Sequence, residues 1–248
     1  MSTFTLKIIA LILMVIDHVG YYFEGTPLWF RLLGRSSYPL FLFCMVWGYH
    51  YTKSRKTFLV RFYLASIFMT VLSLAIDHCL PTEHGYGNHN IFLSMFIVCV
   101  VISLIEIFPK DRKKGWIILG AIVAVQLLYY ITPGVIPYAK MVSGDILTGF
   151  IPNLFVNEYG FPFIILGVSM YFLKERKKPF CIMYVSFCAI QFCIEMITYG
   201  AAVQWLMIAA LPLMLRYNNK KGPGMKYFFY TFYPAHTVLL FYLANFVL

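Results

Sequence analysis

The sequence is short of charge. Asp, Glu, Lys and Arg make up 12% of its 248 residues, where soluble globular domains carry about 25%. Acidic residues are the scarcer kind, 10 against 20 Lys and Arg. Apolar residues take the space: 61% are hydrophobic, 19% aromatic, and the mean hydropathy is +0.76. A water-soluble domain with this much apolar surface has nowhere to hide it, so the composition points to a polytopic, all-helical membrane protein.

Other absences narrow the chemistry. The 6 cysteines form no CxxC pair, and all but Cys79 fall in apolar runs. That excludes a disulfide framework or a thiolate zinc site and leaves small packing residues. There is no HExxH, no nucleophile elbow, and no phosphate-binding glycine pattern; GWIILGA, residues 115–121, does not make one. The N-terminal stretch has little positive charge before Lys7, no small-residue cleavage site and an apolar run beyond signal length, so it is not expected to be a cleaved signal peptide. No repeat or soluble insertion is visible, and one domain over 1–248 is expected.

Apolar runs place spans near 6–23, 37–52, 58–76, 90–108, 115–131, 160–173, 179–199, 201–215 and 227–247, about nine helices. The basic residues test this count. With a cytoplasmic N-terminus, Lys7 and four short inner loops hold them. The loops carry Lys53, Arg55, Lys56 and Arg61; Lys110, Arg112, Lys113 and Lys114; Lys174, Arg176, Lys177 and Lys178; and Arg216, Lys220, Lys221 and Lys226. Only Arg31, Arg35 and Lys140 of the 20 fall elsewhere. This alternation is the positive-inside signature, and it explains the net charge of +10 without a nucleic-acid partner.

Two outer loops are long. DHCLPTEHGYGNH, residues 77–89, holds His78, His84 and His89 beside Asp77 and Glu83, possible zinc ligands whose spacing matches no strong motif; no metal is expected. Residues 132–159 are rich in Pro and Gly and fit a lid, a re-entrant segment or a tenth span. Lys140, Asp145 and the parity of the following KERKK weigh against the span.

Polar groups inside spans carry the functional question. In LKIIALILMVIDHVGYYF, residues 6–23, Asp17 and His18 lie ten residues or so beyond Lys7, near mid-membrane and leaning outward. Each costs about 2 kcal/mol or more at such depth and so needs a partner or a purpose. Adjacent helix positions point about 100° apart. Asp17 is therefore expected to pair with Arg35 or Arg31 rather than with His18, which then faces a cavity. In KYFFYTFYPAHTVLLFY, residues 226–242, His236 reaches similar depth behind Pro234, with Tyr230, Tyr233 and His236 stepping by three along one side. Glu195 is a possible partner for either histidine. The bland alternative is a set of buried structural polar residues.

Three blocks resemble the TraX family, named for the conjugation protein that acetylates the N-terminus of F-type pilin. They are LKIIALILMVIDHVG at 6–20, LLGRSSYPLFLFCMVWGYHYTKSRKTFLVRF at 32–62, and QWLMIAALPLMLRYNNKKGPGMKYFFYTFYPAHTVLL at 204–240. The family in turn is similar to the acyltransferase-3 class of integral membrane enzymes. The resemblance implies an acetyl-CoA-dependent acyltransferase of the bacterial cytoplasmic membrane, with His18 as base and Arg35 and Arg61 as donor-handling or structural arginines. Asp17 and His236 join His18 as catalytic candidates. Tyr230, Tyr233 or His236 would serve a developing oxyanion.

Thr52, Lys53, Arg55, Lys56, Arg61 and Lys226 form the expected rim for the donor's phosphates. The acceptor implied is a pilin-like peptide amine or the hydroxyl of a cell-surface glycan. Two other classes stand beside this one: a proton-coupled transporter using Asp17, His18 and Glu195, and a non-enzymatic scaffold in which His18 does nothing special.

Overall fold

The computed structural model describes residues 1–83, 85–136 and 144–248, with only the backbone at Asp145 and Lys226. Among these residues the chain is helical and has no strand. The helices are α1 (Thr3–Tyr22), α2 (Trp29–Gly34), α3 (Ser37–His50), α4 (Arg55–Cys79), α5 (Ile91–Ile107) and α6 (Arg112–Val135). Then follow α7 (Gly144–Leu147), α8 (Gly160–Leu173), α9 (Lys177–Tyr199), a 3-10 segment (Gln204–Ala210), α10 (Leu211–Leu215) and α11 (Lys226–Phe246). Their starts follow ordinary capping chemistry: Ser2, Ser54, Asn90 and Asp111 each accept a backbone N–H from their helix's first turn.

Among the described residues, four helices are long and apolar enough to cross a membrane: α1, α4, α6 and α9. Between 17% and 33% of their most apolar windows is buried inside the protein. The rest is outward-facing apolar surface, such as Trp116, Ile117, Leu127 and Ile131 on α6, which suits lipid and not water. Every apolar run expected to span is helical, but α3 and α8 have 14 residues each. At 1.5 Å per residue they extend about 21 Å, short of a hydrocarbon core about 30 Å thick.

The chain divides into two compact units, Met1–Gly48 with Ser169–Leu248, and Tyr49–Val168. In the first, α1 and α11 lie together and run in the same sense: Phe4 meets Phe229, His18 meets His236, and Tyr22 meets Phe241. The base of α1 is stitched to the loop before α11, where Thr3 and Phe4 amides donate to the carbonyls of Lys220 and Lys221 at 2.9 and 3.1 Å.

The second unit has a buried polar seam. Asn90 caps α5 and donates to the Ser66 carbonyl, Ser66 Oγ and Thr70 Oγ1, each at 3.1 Å. Residues 148–159 are irregular and pack within this unit. Gly149 sits on Thr70 so closely that a β-carbon there would overlap Thr70 Oγ1. Tyr63 Oη donates to the Phe150 carbonyl at 2.8 Å. Gln126 donates to the Pro152 carbonyl and accepts from the Leu154 amide, at 3.0 and 2.8 Å.

These contacts lie about 12–22 Å along α4 and α6 from their starts. The segment thus packs alongside these two helices, with the Phe150 and Pro152 carbonyls and the Leu154 amide met by their side chains. No tenth span forms among the described residues; α7 has 4 residues, and 137–143 with Lys140 lie outside them.

Candidate functional site

Asp17 and His18 project from α1 to different partners, as adjacent helical positions should. Asp17 turns to α2 and the residue after it. Arg31 Nη1 meets Asp17 Oδ2 at 2.9 Å and donates to the Asp17 carbonyl at 3.1 Å, while Arg35 Nη2 reaches Oδ1 at 3.5 Å. Gly34 leaves room for the carboxylate, since a β-carbon at that position would strike the Asp17 side chain. Arg35 also donates to Gln204 Oε1 at 3.3 Å, and the Gln204 amide donates to Glu195 Oε2 at 2.8 Å. One polar chain thus links α1, α2, the 3-10 segment and α9. The Asp17 pairing expected from sequence is present, with Arg31 its closer partner.

His18 turns to α11. Its Nδ1 lies 2.7 Å from His236 Nε2, and the rings meet edge to edge, with centroids 4.9 Å apart and planes 18° from parallel. His236 Nδ1 is 2.9 Å from the Phe232 carbonyl. A carbonyl only accepts, so that nitrogen carries the proton, and neutral His236 presents a bare Nε2. The hydrogen between the rings therefore belongs to His18 Nδ1, which places the basic lone pair of neutral His18 on Nε2. Phe232 stacks on His236 at 5.1 Å, and Tyr233 meets it edge-on at 5.7 Å. His236 is 6% exposed and His18 only part-buried. One imidazole is thus a sheltered anchor and the other is reachable.

Both nitrogens of His236 are engaged within the fold, Nε2 with His18 and Nδ1 with the Phe232 carbonyl. Glu195 partners neither histidine: its Oε2 accepts the Val203 and Gln204 amides, both at 2.8 Å, and caps the 3-10 segment. His18 lies four residues from the end of α1, about 6 Å from its tip, in the second half of the helix as expected.

Of the expected phosphate rim, Thr52, Lys53, Arg55, Lys56 and Arg61 belong to the second unit. Arg55 opens α4 and is held there by Glu106 and by the Tyr49 ring, 4.9 Å from its guanidinium carbon. Thr52 Oγ1 donates to the Ser54 carbonyl at 3.4 Å, and Arg61 Nε to the Thr57 carbonyl at 3.3 Å. Lys53 and Lys56 are exposed. Tyr230 is part-buried on α11, and the Lys226 side chain lies outside the described residues.

In the loop between α4 and α5, Asp77 accepts the Tyr86 amide at 2.6 Å, and His89 Nε2 lies 3.0 Å from the Tyr86 carbonyl. These two side chains hold the loop's own backbone. No three His, Cys, Asp or Glu gather as metal ligands among the described residues, and His84 lies outside them.

Sequence reasoning missed the joining of the two histidines, Arg31 as the shorter ion pair, and Gln204. The one local signal was Gly34, a residue without a side chain between two arginines.

No curated protein and no solved structure matches the chain. The family model described as TraX protein matches residues 2–144 and 145–244. With its helices, its apolar spans and a histidine pair fixed between α1 and α11, this chain belongs to the TraX family.

Proposed function

We propose that the chain is a membrane acetyltransferase with His18 as general base, moving an acetyl group from acetyl-CoA to an amine, a pilin-like peptide N-terminus first among the acceptors. The observation that carries this reading is the 2.7 Å contact between His18 Nδ1 and His236 Nε2, with His236 Nδ1 committed to the Phe232 carbonyl. Two imidazoles locked in complementary tautomers leave one nitrogen, His18 Nε2, oriented to take a proton. TraX membership and the apolar helices support the same reading, with the bacterial cytoplasmic membrane as its location.

The acceptor nitrogen attacks the thioester carbonyl carbon as its proton passes to His18 Nε2. The carbonyl electrons move to oxygen, then return as the carbon–sulfur bond breaks. The departing thiolate takes the proton back from His18. His236 does not titrate in this cycle: its Nε2 accepts from His18 Nδ1–H and steadies the imidazolium, as the third member of a catalytic triad does. Tyr230 and Tyr233, on the same helix, are the candidate hydroxyls for the oxyanion. Asp17, clamped by Arg31 and Arg35, holds α1 against α2 and fixes the helix that carries His18.

A glycan hydroxyl would react by the same steps. Proton-coupled transport draws less support, because Glu195 is spent on the amides of residues 203 and 204. The test is His18→Ala, purified from membranes in wild-type amount. It should yield no acetylated acceptor peptide by mass spectrometry; product at the wild-type level would end the base assignment.

A further inference from the structure

The first unit holds a second feature that the histidine pair does not use. Where α3, α9 and the loop after α10 meet, a recess of about 160 Å³ opens between Phe43, Trp47, Phe180 and Tyr217. The Trp47 and Tyr217 ring centroids are 5.1 Å apart at 54°, and Phe43 stands perpendicular to Tyr217 at 5.7 Å. Lys174 and Lys177 form the rim. The Lys174 ammonium rests 4.1 Å from the Tyr171 ring centroid and 5.9 Å from that of Trp47, and Lys177 is exposed. Glu175 lies on the same wall. Beside it Asn219 has a φ of 60°, a left-handed turn in the loop after α10.

We infer that this recess binds a nucleotide, its base against the aromatic wall and its phosphates on Lys174 and Lys177. The volume is below the roughly 300–1,000 Å³ of sites that engulf a drug-sized ligand, so it takes a ring system and leaves the charged remainder at the rim. Aromatic walls stack on any base face, lysine ammonium groups take phosphate, and a carboxylate accepts from a base's amino group. A bare phosphate or a lipid headgroup uses the lysines but leaves the rings and Glu175 idle.

The identity of the nucleotide rests on the acetyl-transfer reading, which makes it the adenosine bisphosphate end of acetyl-CoA. Thr3 and Phe4 pair with the loop just past Asn219, and His18 lies about 21 Å further along α1. The arm between nucleotide and thioester would bridge that gap.

The test is binding of adenosine 3′,5′-bisphosphate, which has no acyl group, to the full chain in neutral-lipid nanodiscs, read by isothermal titration calorimetry. Wild type should bind saturably, and Lys177→Glu should weaken binding about tenfold or more. Trp47→Ala should weaken it as well. Lys110→Glu, an equal charge change in another loop, should leave it nearly unaltered. Absence of saturable binding, or equal losses in Lys177→Glu and Lys110→Glu, would overturn the site. Displacement by anionic-lipid nanodiscs with Trp47→Ala unchanged would assign the recess to a lipid phosphate and also overturn it. Because transfer is assayed separately, nucleotide binding without acetyl transfer would sink the proposed reaction and leave the site standing. The converse would sink the site alone.

Discussion

Replacing His236 with alanine removes the acceptor for His18 Nδ1–H without touching the nitrogen that meets the acceptor. The expected result is a fall in turnover of about a hundredfold or more with little change in donor KM. His236→Gln, which keeps a hydrogen-bond acceptor, should recover part of it. Steady-state kinetics decides: a loss confined to KM would remove His236 from the proton path. Asp17 makes a different kind of claim. Its 2.9 Å contact with Arg31 and 3.5 Å contact with Arg35 rank the two arginines. Arg31→Gln should destabilise the protein by about 1–2 kcal/mol, given partial exposure, and Arg35→Gln by less. Thermal unfolding in detergent measures the order, and the reverse order would refute the ranking. At this scale the sequence showed which residues are costly in lipid, because cost depends on residue type and depth. It did not show which ones meet, because Glu195 and His236 are equally plausible partners until the 3-10 segment is known to claim the glutamate.

Helix starts respond to pH in a way that can be worked out from their caps. Asp111 caps α6, and the Lys114 amide N–H, then the Lys114 side chain, hold its carboxyl below the ordinary carboxylate range. A depressed folded-state pKa means that the contribution is present above the unfolded carboxyl pKa and lost as pH falls through the lower folded value. The first turn of α6 should therefore loosen in acid and be indifferent to alkali. Amide exchange at Lys114 across that range is the check, and equal protection on both sides would contradict it. Helix positions were readable because hydropathy and caps are local. The short helix at 29–34 was not, and the sequence of 148–159 leaves open a lid, a re-entrant segment or a span. Short helices and irregular segments take their shape from what they pack on: Asp17 for the first, Thr70, Tyr63 and Gln126 for the second.

For the molecule as a whole, the distribution of lysine and arginine makes an orientation claim. Cys79 is exposed at the end of α4, in the loop expected outside. In a variant retaining Cys79 alone among the 6 cysteines, a membrane-impermeant maleimide should label intact cells. Labelling only after permeabilisation would invert the topology. Positive-inside patterning survives in a bare sequence because it is written in loops, whereas closure between distant helices is not written locally at all.

The histidine pair shows what that distance means for biosynthesis, since its members stand 218 positions apart. Every intervening segment is synthesised after His18 and before its mate. A nonsense codon anywhere between them would release a polypeptide that keeps His18 and lacks the residue that orients it. The contact forms only when α11 docks beside α1, so under the proposed reaction the proton-accepting nitrogen gains its orientation only after all of those segments have been made.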